Sequence, residues 1–146
     1  MIERIVRRTV ELHTSADELW DLLADPVELT SWLGSEGEVA LWPGGLGRLV
    51  DADGTVRRIS VDRVEVGRSI GFTWWVDGDE SSASTVELTI GDPDGRDDAS
   101  TLTVIERPLA RAGGTTCQLA DAAAAWDDRL LGLELSVLSP ALLVNA

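Results

Sequence analysis

Residues 2–12, IERIVRRTVEL, alternate. Ile2, Val6, Val10 and Leu12 fall on one face, and Glu3, Arg7, Thr9 and Glu11 on the other. This predicts a half-buried strand, with Arg8 intruding on its apolar side. The period then changes. Ser15 with Glu18 makes a capping box ahead of LWDLLA, and Asp25 with Pro26 makes a second N-cap with proline at the first helical position. Two short helices are expected, the second running to about Trp32 and stopping at Gly34. A period of two returns over EVALW (38–42), RLVDA (48–52), TVRRISVDRVEV (55–66), RSIGFTWWV (68–76), STVELTI (84–90) and TLTVIE (101–106). Turns are expected at Pro43-Gly44-Gly45, at Asp53-Gly54, at Gly67 and over the polar run 77–82, with a solvated acidic loop at 91–100. No helical pattern interrupts these strands, so a sheet of about seven strands should be antiparallel. Thr115 with Gln118 then caps a long helix in which Leu119, Ala123, Trp126, Leu130, Leu133 and Val137 recur at steps of four and three, and Pro140 is its expected end. The pattern as a whole predicts an α+β architecture in one domain spanning residues 1–146.

Charge narrows the choice of partner. Twelve basic residues, all arginine, face 26 acidic ones, a net charge of −14. A chain so acidic repels nucleic-acid backbones and anionic membrane surfaces. With no lysine, a Schiff-base mechanism is excluded. No apolar run reaches membrane-spanning length and the N-terminus lacks a signal-peptide core, which makes the cytoplasm the expected location. Cys117 is the only cysteine and His13 the only histidine, so neither an intrachain disulfide nor a His/Cys metal cluster is expected. DPDGRDD lacks the spacing and the glutamate of a calcium loop, and PGGLG lies in a hairpin rather than between a strand and a helix. His13 suits a turn and Cys117 a small filler in the first turn of the long helix. No catalytic residue, metal or cofactor is assigned.

The order strand, two short helices, meander, long helix carries specific residues. DELWDLLADPVELTSWLG (17–34) resembles the entry motif of the chaperone-ATPase-activator-like family of the SRPBCC (START and birch-pollen-allergen) superfamily. The PGG turn at 43–45, FTW at 72–74, STVELTI, LTVIE and the Trp126–Leu133 segment extend the resemblance over nearly the whole chain. The resemblance implies a helix-grip fold, in which a curved antiparallel sheet wraps a long C-terminal helix and leaves an apolar cavity between them. The founding co-chaperones carry a separate N-terminal chaperone-binding domain. This chain opens on the first strand, so only the C-terminal type of domain, without stimulation of a chaperone ATPase, is expected.

Within such a grip, Ile70, Phe72, Trp74 and Val76 share the inward face of their strand, leaving Trp75 outside among small and polar residues. Trp20 and Trp126 suit the core, and Trp32 and Trp42 the mouth of the cavity. Arg8, Arg48 and Arg58 are candidates to reach inward toward an anionic or carbonyl group, or to pair with acids, as Arg58 could with Asp62. The candidate ligand site is therefore Trp32, Trp42, Arg48, Arg58, Phe72, Trp74 and Trp126. Its expected partner is an apolar or aromatic small molecule, bound without chemistry. Two alternatives stay open: a cyclase- or aromatase-type enzyme using the same cavity, and a protein-interaction or co-chaperone-like module, or a homodimer, built on Trp75 and the apolar tail 141–144.

Overall fold

The computed structural model describes residues 5–92, 98–109 and 116–144, with the backbone alone at 116–121 and 138–144. Strand β1 (Val6–Leu12) leads into α1 (Ala16–Ala24) and α2 (Pro26–Leu33). Then come β2 (Glu36–Val39), β3 (Leu46–Val50), β4 (Val56–Glu65), β5 (Ser69–Val76), β6 (Asp79–Gly91) and β7 (Ser100–Pro108), and α3 (Thr116–Val144) closes the order. The strands form one antiparallel sheet in the order β1-β7-β6-β5-β4-β3-β2.

Both early helices start where their caps require. The Ser15 hydroxyl accepts from Glu18 N at 3.1 Å, and the Asp25 carboxylate accepts from Val27 N at 2.9 Å and Glu28 N at 3.4 Å. In α1, Leu19 and Leu23 turn to the core; in α2, Leu29, Trp32 and Leu33 do. The alternation in β1 holds, with Val6 and Leu12 buried and Arg7, Thr9 and Glu11 exposed. Arg8 does not enter the interior. Its Nε reaches Asp127 on α3 at 2.7 Å, tying the edge strand to the helix at a largely exposed rim. On α3, Trp126, Leu130 and Leu133 face the sheet and are buried against Val86, Leu88, Leu102 and Val104 in one continuous core.

Four departures from the sequence reading have local causes. EVALW leaves the sheet after Val39, because residues 40–45 close a tight turn in which Gly45 N donates to the Trp42 carbonyl at 2.7 Å. A Cβ at Gly45 would lie 1.9 Å from the Ala40 oxygen, so no other residue fits there. The turn before β6 is only Asp77-Gly78, with Gly78 at φ +84°, and the strand begins at Asp79. The backbone of α3 continues through Pro140 to Val144: proline's fixed φ is close to the helical value, so it forfeits one N–H bond and crowds one carbonyl without forbidding the turn. Finally, β4 slips register between Val61 and Arg63, which returns Val64 to the inner face opposite Ile70. The Thr115–Gln118 cap and the Cys117 side chain lie outside the described residues, as do the side chains of the tail 141–144.

Candidate functional site

On β5 the alternation places Ile70, Phe72 and Trp74 on the inner face, all buried. Trp74 stacks on Trp126 of α3, centroids 5.6 Å apart at 27°, and meets Phe72 edge-on at 5.4 Å. Indole N–H groups inside a protein need acceptors, and here one carboxylate serves both. Glu106, on the inner face of β7, accepts from Trp74 Nε1 at 2.7 Å through one oxygen and from Trp126 Nε1 at 2.8 Å through the other. Ser84 of β6 donates its hydroxyl to the same carboxylate and accepts from Trp74 Nε1 at 3.1 Å.

Two arginines complete the cluster. Arg57, at the start of β4, lies 4.7 Å from the Trp74 ring centroid, and Arg129, one turn beyond Trp126 on α3, lies 5.0 Å from both indoles. Asp51, just after β3, joins them: its Oδ2 accepts from Arg57 Nε at 2.9 Å and its Oδ1 from Arg129 Nη2 at 3.4 Å. Arg129 Nε also donates at 2.8 Å to the Leu33 carbonyl, satisfying an acceptor at the C-terminal end of α2. Burial pulls the Arg129 guanidinium below its ordinary value, the neighbouring Asp51 pulls it back up, and the nearby Arg57 charge works against it. Two cations and two carboxylates, from β4, β7, α3 and the residue after β3, thus meet two stacked indoles where α2, α3 and the sheet converge.

The structure brings Trp74, Trp126 and Phe72 together and disperses the other candidates. Trp32 is buried at 7% exposure in the same core, and its Nε1 has no hydrogen-bond partner among the described residues. Trp42 is 63% exposed on the 40–45 turn and lines no interior, because the turn carries it away from the sheet. Arg48 and Arg58 do not reach inward. Leu49 and Ile59 hold the inner positions of β3 and β4, so their neighbours in sequence face out, where Arg48 and Arg58 oppose each other in register. Arg58 pairs with Asp77 at 3.3 Å rather than with Asp62, which accepts from the Thr73 hydroxyl at 2.8 Å. Trp75 is half-buried on that outer face, opposite Arg58. His13 is exposed in the bend after β1. The outer face also carries a shallow groove of about 200 Å³ around Gly71, but its charges answer one another, Arg63 meeting Glu87 at 3.2 Å and Glu65 at 3.4 Å.

Four charged members of the cluster, Asp51, Arg57, Glu106 and Arg129, were not anticipated. Arg57 had a legible signal: it shares parity with the apolar Ile59 and Val61. Glu106 shares parity with Leu102 and Val104 in the same way.

A curved antiparallel sheet closed by a long C-terminal helix, with two short helices after the first strand, is the helix-grip fold of the SRPBCC superfamily. Within it, the chain belongs to the family described as Activator of Hsp90 ATPase homolog 1-like protein, whose model matches residues 13–134. Solved structures share the architecture. DynU16, a protein of the dynemicin biosynthetic locus, superposes with a TM-score of 0.72 at 25% identity; the match covers 97% of this chain but only 48% of that one. MLL2253 from Mesorhizobium loti gives 0.75 at 20% identity, covering 94% of this chain and 98% of that one. The Aha1 dimer from Colwellia psychrerythraea, a solution structure, gives 0.75 at 13% identity, covering 94% and 96%. Comparison with curated proteins returned no match. Among the described residues no helix is long and apolar enough to cross a membrane.

Proposed function

We propose that this protein binds an apolar or aromatic small molecule between α3 and the inner face of the sheet, and that it acts in the cytoplasm as a binding protein rather than as an enzyme. The observation that carries this reading is the inner-face cluster. An apolar interior with a few convergent polar groups, here Arg57, Arg129, Asp51 and Glu106 beside Trp74 and Trp126, is the composition by which proteins enclose and orient small ligands. Trp32 adds a buried donor without an acceptor, a condition few native side chains tolerate and one that a ligand oxygen would relieve. The family and the fold are compatible with this use and with others, since fold alone does not fix function.

Native mass spectrometry of the purified protein, first under gentle and then under denaturing conditions, tests the reading, together with titration of an apolar fluorescent probe. A copurified molecule lost on unfolding, or saturable probe binding, is the expected result. An empty protein that binds no apolar probe overturns it. Trp32→Phe keeps the ring and removes the donor. It should leave stability within about 1 kcal/mol of wild type while weakening a ligand that accepts from this N–H by roughly fivefold. Equal affinity in the two proteins would separate Trp32 from the site.

Trp75 favours a second reading. It is a large apolar side chain, half-buried on a face that carries the exposed Arg48 and Arg58 and the half-buried Thr73, and it suits contact with a second copy of the chain. The Colwellia relative is a dimer. On this reading, sedimentation velocity at micromolar concentration gives a dimer for wild type and a monomer for Trp75→Arg. A wild type that stays monomeric removes it.

A further inference from the structure

The two arginines of the cluster are only partly used. Arg57 donates through Nε alone, to Asp51 at 2.9 Å. Arg129 donates through Nε to the Leu33 carbonyl at 2.8 Å and through Nη2 to Asp51 at 3.4 Å. A guanidinium has five N–H groups, so most of this donor capacity makes no hydrogen bond to any described residue. The unused nitrogens are not sealed in carbon either. The side chains keep 23% and 11% exposure, and neither arginine contributes a buried polar atom that lacks a partner. Asp51 is the one carboxylate bonded to either guanidinium among the described residues, and it holds both forks in place from between them. The fourth charge, Glu106, is committed to two indoles and the Ser84 hydroxyl.

We propose that Arg57 and Arg129 form an anion subsite that receives the carboxylate of a flat apolar acid, with Asp51 as the positioning residue that sets the angle of the two forks. This rests on the ligand-binding reading above and names the class of ligand. A guanidinium fork suits a planar carboxylate, which can accept two parallel N–H bonds. Each guanidinium already lies within 5.0 Å of an indole centroid and is bonded to Asp51, so little side-chain freedom is lost when the acid binds. Burial holds the Arg129 guanidinium below its ordinary value even with Asp51 pulling it back up, and an incoming anion acts in the same direction as Asp51. A ligand that lacks the acid leaves these donors to water alone and binds less well.

The test is isothermal titration of the wild-type protein with naphthoate and with its neutral isostere naphthamide. Naphthoate is expected to bind about tenfold more tightly. In Arg57→Gln, with folding checked by circular dichroism, the ratio of acid to amide affinity should collapse toward one. Arg57→Lys, which retains the charge without the fork, should restore only part of it. If wild type binds the acid and the amide equally, the anion subsite is wrong and the ligand-binding reading stands. If neither molecule binds, both fall. Because the acid-to-amide ratio is measured on wild type, an Arg57 variant that does not fold leaves the proposal decided.

Discussion

Replacing Glu106 by glutamine is expected to lower the unfolding free energy by about 2–3 kcal/mol. Two indole N–H groups, from Trp74 and Trp126, converge on the two oxygens of this carboxylate. Glutamine has the same shape but only one accepting oxygen, so its NH2 must face one of the two indole donors. That donor becomes a buried polar group without an acceptor, next to a donor that repels it. The Ser84 hydroxyl loses a charged acceptor at the same time, and Arg129 loses a nearby negative charge. Urea unfolding followed by far-ultraviolet circular dichroism gives the number. A loss below about 0.5 kcal/mol would mean that the carboxylate does not bridge the two tryptophans, since an exposed substitution typically falls in that range.

Trp126→Ala should cost more, about 3–5 kcal/mol. The side chain is fully buried, stacked on Trp74 at 5.6 Å, and is the largest residue that α3 presents to the sheet. Its removal opens a void, because close-packed neighbours relax only in part. Arg129 also loses one of its two aromatic supports, and Glu106 one of its donors. In a chain of this size the melting temperature should drop by roughly 10 °C or more. A drop of only two or three degrees would show that the helix is not seated on the sheet through this residue. Trp126→Phe, which fills most of the space but donates nothing, should fall between wild type and Ala.

Much of the architecture was legible because it is written in short-range patterns. The alternation in β1 and β6, the caps at Ser15 and Asp25, and the four-three spacing from Ala123 to Leu133 each lie within a few residues of chain. The site was less legible, for two physical reasons. Reading strand faces requires an unbroken count, and the slip between Val61 and Arg63 breaks it in β4, a segment with apolar residues of both parities. That is why Arg58 reads as a candidate to reach inward although it lies on the outer face, and why Arg57, which shares a face with Ile59 and Val61, is passed over. The second reason is distance along the chain. The partners of Arg129 are the Leu33 carbonyl and Asp51, and Trp74 meets Glu106 across the sheet. Local pattern can place each of these residues on a face, but it does not reveal which of them meet. Trp42 departs from its expected strand for a different reason: an apolar residue before Pro43 reads as the end of a strand, while the turn it belongs to carries it out of the sheet.

The strand order has a consequence for the order of events during synthesis. From β3 to β7 each strand pairs with the one made just before it, so that part of the sheet can zip up hairpin by hairpin as it leaves the ribosome. The first strand made has no such neighbour. Its partner is β7, with Val6 opposite Glu106 and Leu12 opposite Ser100. Until that strand emerges, Val6, Val10 and Leu12 have no sheet edge to join, and closing the loop between the two ends is paid for in entropy before any contact returns it. Strand β1 is therefore made well before its partner and docked late, and until then its apolar stripe is a segment open to capture by chaperones or by other chains.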